Sequence, residues 1–200
     1  MPKAIVVEDE QLEHAVRVAK VSSNENGIRD AALLLTCFGT GMTVTEICRL
    51  RVSDYLTESG SVLTDSQMRE EIAYNHRSRP LCWTSKKLIN AIDAHLSERA
   101  KRGHGVSTRI NAYRGLDPES ALFVSGRTGE GLKISAKVRE GKTYYSANQL
   151  TRIYTRLFSI WGCKPESQKF PSWARSQYWC GLTPNSCFPA ATPPSRKRLD

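Results

Sequence analysis

The sequence predicts a mainly α protein with a small antiparallel β-sheet, an α+β class, followed by a tail of different character. Three observations carry this prediction. Apolar residues recur at helical spacing in several segments, short strand-like runs separated by polar turns begin at Gly60, and beyond Cys163 periodicity stops while most of the nine prolines gather. The 200 residues therefore divide into a domain over 1–163 and a tail over 164–200 that is expected to be disordered. A chain of this length suffices for one ordinary core plus such a tail.

Asp9 is placed to cap a first helix, on which Leu12, Ala15, Val16 and Ala19 share one face. After the polar loop SSNENG, Ile28, Ala31, Leu34 and Leu35 mark a second helix, and both are expected in the core. From Gly60 the runs SVLTD, REEIAY and RPLCW read as strands of a small antiparallel sheet. Pro80 suggests an edge position for the last of them, since proline has no N–H to donate to a ladder. Thr84 or Ser85 starts a long helix with Leu88, Ile89, Ile92 and Leu96, which stops near Gly103. The polar segment RGHGVSTRINAYRGLDPES exceeds the usual connection length and reads as a mobile insertion or part of a binding surface. ALFV reads as a short strand and GRTGEG as a turn. The last helix has the clearest two-sidedness. Leu150, Ile153, Tyr154, Leu157, Phe158 and Trp161 form its back, and Asn148, Arg152, Thr155 and Arg156 its front.

Lys and Arg number 29 against 20 Asp and Glu, a net charge of +9 that favours a polyanionic partner such as DNA or RNA. No run of 18 apolar residues exists and MPKAIVVEDE lacks the shape of a signal peptide, so a soluble, cytoplasmic chain with no membrane partner is expected. The six cysteines include no Cys-x-x-Cys pair, which argues against a zinc ribbon or a redox motif, and Cys37 and Cys82 sit in apolar runs as small core residues do. His14, His76, His95 and His104 are scattered over helix, turn and loop. Gly141, Lys142 and Thr143 match the end of a phosphate loop, but Ala136 stands where its first glycine is required. No cofactor and no metal site is expected.

The stretch from Leu33 to Asp54, LLLTCFGTGMTVTEICRLRVSD, describes an apolar helix ended by Gly39 and Gly41, a second short helix and a polar exit. It resembles the opening box of the tyrosine recombinase, or phage integrase, family, whose pattern runs Thr-Gly-Leu-Arg-Ile-Ser-Glu-Leu. Thr40, Gly41, Met42, Val44, Thr45, Glu46 and Ile47 keep that frame, and the order of elements extends the likeness over residues 8 to 163. The resemblance implies a catalytic-type domain, incomplete at its C-terminus, whose partner is double-stranded DNA. Family members usually carry a further helical domain ahead of this one, and none is expected here. They also bury further helices beyond this point, so exposed apolar surface around Leu157, Phe158 and Trp161 is expected.

The family's reaction requires two arginines to neutralise charge on the phosphate, a hairpin lysine to protonate the leaving oxygen, a histidine, and a tyrosine nucleophile. Thr43 stands in place of the first arginine, and a threonine hydroxyl cannot form a bidentate, permanently charged clamp. Thr43 and Glu46 instead spell Thr-x-x-Glu, a capping box. No lysine occurs between Lys20 and Lys86, and Arg69, Arg77 and Arg79 are phosphate contacts rather than acids. No histidine follows His104, so the second box, His-x-x-Arg, is missing, and Tyr178 lies in an aperiodic stretch. No catalytic residue is therefore assigned. The chain is expected to be a catalytically inactive remnant of a mobile element, truncated by loss of reading frame near Cys163.

DNA binding needs less. Asn148, Gln149, Arg152 and Arg156 on the front of the last helix have the chemistry to read base edges or hold phosphates, and Arg49, Arg51, Arg77, Arg79, Lys86 and Lys87 add backbone contacts. Two other readings fit the same residues: an accessory protein that regulates DNA or a full-length recombinase by binding, and a helical module whose basic face meets an acidic protein.

Overall fold

The computed structural model describes residues 9–22, 26–73, 76–139 and 141–160. Among the described residues there are five α-helices, which contribute most of one core, and two separate antiparallel hairpins, so the fold is α+β. The expectations for the tail, including Tyr178, lie outside the described residues.

Helix α1 (Asp9–Ser22) carries Asp9 and Glu10 in its first turn and Lys20 in its last, which suits the helix dipole at both ends. Asp9 already lies within the helix, and the capping position before it lies outside the described residues. Ala15 and Ala19 are buried and Val16 packs beside them, as the spacing predicts. Helix α2 (Gly27–Thr40) is the central element, packed against α1 and against the long helix described below, with Ala31 to Leu34 almost fully buried. Ile28 departs from expectation and is exposed at 38%, although its first-turn neighbours Gly27, Arg29 and Asp30 are buried. The helix stops at Gly41, whose φ of +64° lets its N–H turn back to the Cys37 carbonyl at 3.2 Å.

Helix α3 (Val44–Arg49) begins in the predicted capping box. The Thr43 hydroxyl accepts from the Glu46 N–H at 3.3 Å, and the Glu46 carboxylate accepts from the Thr43 N–H at 2.7 Å. A 3₁₀ turn over Val52–Asp54 then leads to Tyr55, whose ring meets Trp83 edge-on at 5.1 Å in the core.

Among the described residues the sheet region holds two strands rather than three. Strand β1 (Asp65–Met68) pairs antiparallel with β2 (Arg79–Cys82), Asp65 opposite Cys82 and Met68 opposite Arg79. Most of SVLTD stays outside the strand, with Val62 making a single bridge to Leu56. REEIAY contains hydrogen-bonded turns from Ile72 and Ala73 back to the Arg69 carbonyl. Ile72 and Ala73 are both buried, and adjacent buried residues conflict with the alternating faces of a strand. Pro80 sits opposite Gln67 in a strand paired on one side only, as a proline requires.

Helix α4 (Lys86–Lys101) starts at the Ser85 cap and buries Leu88, Ile92 and Leu96. The connection after it is pinned from inside rather than loosely attached. Arg99, 2% exposed, donates to the carbonyls of His104 and Ala121 and to the Ser120 hydroxyl. Arg114 adds bonds to Asp93 and the Gly60 carbonyl. ALFV is no regular strand: Ala121 bridges Arg51, Val124 bridges Gly131, and the Leu122 N–H donates to Leu50 at 2.7 Å. The turn read in GRTGEG closes through the Ser125 N–H and the Glu130 carbonyl.

A second hairpin, absent from the sequence reading, joins β3 (Ser135–Arg139) to β4 (Lys142–Ser146) and runs directly into α5 (Asn148–Ile160). Gly141, at φ +72°, adopts the left-handed conformation that its tight turn needs. The back of α5 packs on the core through Leu150, Tyr154 and Leu157, and the Tyr154 hydroxyl donates to the Leu33 carbonyl at 2.9 Å. Leu157, expected to be exposed, is buried at 4%; the side chain of Phe158 and all of Trp161 lie outside the described residues.

Candidate nucleic-acid interface

The cations proposed from sequence fall into two groups. Four are tied to carboxylates. Arg79 forms a two-pronged pair with Glu46, both bonds at 2.8 Å. Glu46 is fully buried, so the arginine balances a charge that also caps α3. Arg51 pairs with Glu119 and Lys87 with Glu13. Arg156 pairs with Asp30, a buried carboxylate that also accepts two bonds from its neighbour Arg29. Arg69, considered alongside them, is held by Asp54 through two bonds at 2.9 and 3.1 Å. These acids anchor the basic residues, and sequence alone offered no sign of which acid meets which base.

The second group is differently placed. Asn148 and Arg152 stand exposed on the front of α5 with Thr155 and Arg156, and neither Arg152 nor Lys86 has a carboxylate partner among the described residues. Gln149 accepts the Lys133 N–H at 2.9 Å through its side-chain oxygen and so fixes the chain leading to the hairpin. Arg49 comes from α3, which touches α5, and its guanidinium lies 4.6 Å above the ring of Tyr145 in β4. Arg77 is exposed beside the first hairpin. Arg49, Asn148, Arg152 and Arg156 therefore belong to one region. Lys86 and Lys87 belong to another, the rim of a half-open groove of about 1280 Å³ between α1, α2, β2 and α4. Val16, Phe38 and Leu88 form part of its apolar lining.

The threonine, tyrosine and cysteine side chains near the core serve the fold. Thr43 is committed to the α3 cap. Burial and the adjoining Asp93 push the Tyr55 phenol far up, and burial does the same to Tyr154, so both stay protonated. Cys48 is pushed up to about 12 by burial and is an inert thiol. Among the described residues no three His, Cys, Asp or Glu side chains are grouped to hold a metal ion, and no helix is long and apolar enough to cross a membrane.

The β3–β4 hairpin is what the sequence reading missed. Its signal was weak, since AKVR and KTYYS flank Glu-Gly, which supplies the turn glycine but not the Asn or Asp that usually precedes it. No protein-family model matches the chain, and no curated protein matches it either.

Proposed function

We propose that this chain is a DNA-binding protein of tyrosine-recombinase type that holds duplex DNA without cutting it. The observation that carries the proposal is α5. Its apolar back is anchored by Leu150, Tyr154 and Leu157, which presents Asn148, Arg152, Thr155 and Arg156 outward on a rigid support beside Arg49. On this reading Arg152 and Arg49 hold phosphates, Asn148 faces base edges, and Arg156 divides its donors between Asp30 and the duplex. Thr43 in a cap, with buried and protonated Tyr55 and Tyr154, leaves strand cleavage without a clamp or a nucleophile among the described residues.

The test is duplex affinity measured across a salt series. Arg152→Glu is expected to weaken binding and reduce the magnitude of the log–log salt slope by about one, as loss of one phosphate contact does. An unchanged slope removes α5 from the interface. A second reading, an accessory protein that docks on a full-length recombinase, is favoured by the apolar groove between α1 and α4. Retention of a purified recombinase in the absence of DNA, lost when Phe38 is replaced by aspartate, would favour it.

A further inference from the structure

We infer that the β3–β4 hairpin is a second duplex-contacting arm, an inference that rests on the DNA-binding reading above. The two strands pair only with each other among the described residues, and residues 135–138 and 143–145 are all exposed. Val138 is 71% exposed, Tyr144 54% and Tyr145 43%, an unusual concentration of apolar surface for so short a segment. The register places Lys137 opposite Tyr144 and Ala136 opposite Tyr145. Because strand residues alternate in face, Lys137 and Tyr144 share one side while Tyr145 occupies the other.

Charge selects the occupant. Between Lys133 and Ser146 four lysines and arginines stand against a single acid, Glu140, in a chain that is already strongly basic. An acidic surface meets that balance, and tyrosine hydroxyls beside lysine ammonium groups are donors suited to phosphate oxygens. Continuity decides which acidic surface. The hairpin ends one residue before Asn148, the first residue of α5, and Ala147 between them is buried and fixes the joint. On the other face Arg49 lies over Tyr145, which couples the ribbon to α3. Arg49 and the start of α5 thus adjoin the hairpin, which offers Lys137 and Tyr144 on the face away from Arg49. A five-residue strand spans roughly 17 Å, and a two-stranded ribbon fits a major groove about 12 Å wide.

The experiment uses the full chain, a short labelled duplex and one of its single strands, and compares Lys137→Glu, Tyr144→Ala and the double variant with Arg152→Glu. Lys137 and Tyr144 are exposed, so thermal midpoints should match the unaltered chain. Lys137→Glu is expected to weaken duplex binding about fivefold at moderate salt and to lower the salt slope by about one, additively with Arg152→Glu. If Arg152→Glu weakens binding while both hairpin variants bind as the unaltered chain does, the arm is overturned and the DNA-binding reading stands. If Tyr144→Ala reduces only single-strand binding, the hairpin is a stacking platform and the duplex proposal is wrong. If the unaltered chain retains no duplex, both readings fall.

Discussion

Arg79 and Glu46 show how one ion pair can decide the meaning of a basic residue. Glu46 has no exposed surface, accepts the Thr43 N–H and receives two bonds from Arg79. Removing the arginine takes two charged donors away from a fully buried carboxylate. Arg79→Ala is therefore expected to destabilise the fold by about 3–5 kcal/mol, read by chemical denaturation. A residue whose main work is contacting phosphate would instead lower DNA affinity and leave stability nearly unchanged. Arg152, with no carboxylate partner among the described residues, should show that second pattern, so the two variants separate structural from binding cations.

Helix α3 is only six residues long and gains little from its own backbone bonds, so its ends matter. The capping box satisfies an N–H at each of Thr43 and Glu46. Thr43→Ala should cost about 1 kcal/mol, and Thr43→Ser, which keeps the hydroxyl, should cost much less. Equal losses in the two variants would mean that the threonine methyl, and not the cap, supports the helix. Helix α5 depends on tertiary contact instead. Leu150 is fully buried, and Leu150→Ala should destabilise by roughly 2–5 kcal/mol through the cavity it leaves. Because α5 carries Asn148 and Arg152, that variant should also weaken duplex binding near its unfolding transition but not well below it.

At the scale of the whole molecule, the buried His95 links stability to pH. It stacks on Phe123 at 5.4 Å, and burial, reinforced by the positive charges of Arg99, Arg29 and Arg102, lowers its pKa to about 3. A bond to the Leu122 backbone opposes the shift only in part. The unfolded chain takes up a proton near pH 6.5 that the native state refuses until about pH 3. The native state thus binds fewer protons across that window, and stability falls as pH falls through it, by about 1.4 kcal/mol per unit. Unfolding free energy at pH 5 should lie about 2 kcal/mol below that at pH 7. His95→Phe should flatten this dependence, and a slope unchanged in that variant would assign it to other groups.

The helical part of the fold was legible because a helix that packs on a core must repeat its apolar residues, as at Ala15 and Ala19, Leu88 and Ile92, or Leu150 and Tyr154. The Thr43 cap was legible for a similar reason, since both partners lie within one turn. The strands were harder to read. Ile72 and Ala73 are apolar because they are buried in turns, and the exposed β3–β4 hairpin has no buried face to impose a period. The sequence by itself therefore determined the class of fold, most helices, the basic character of the chain and the helix cap at Thr43. Only the tertiary structure decided which cations are bound by Glu46, Asp54, Glu119, Glu13 and Asp30, and that Arg49 lies over Tyr145 of the hairpin. Periodicity and capping act between residues a few positions apart, whereas ion pairs such as Arg156 with Asp30 join residues 126 positions apart, and only folding brings them together.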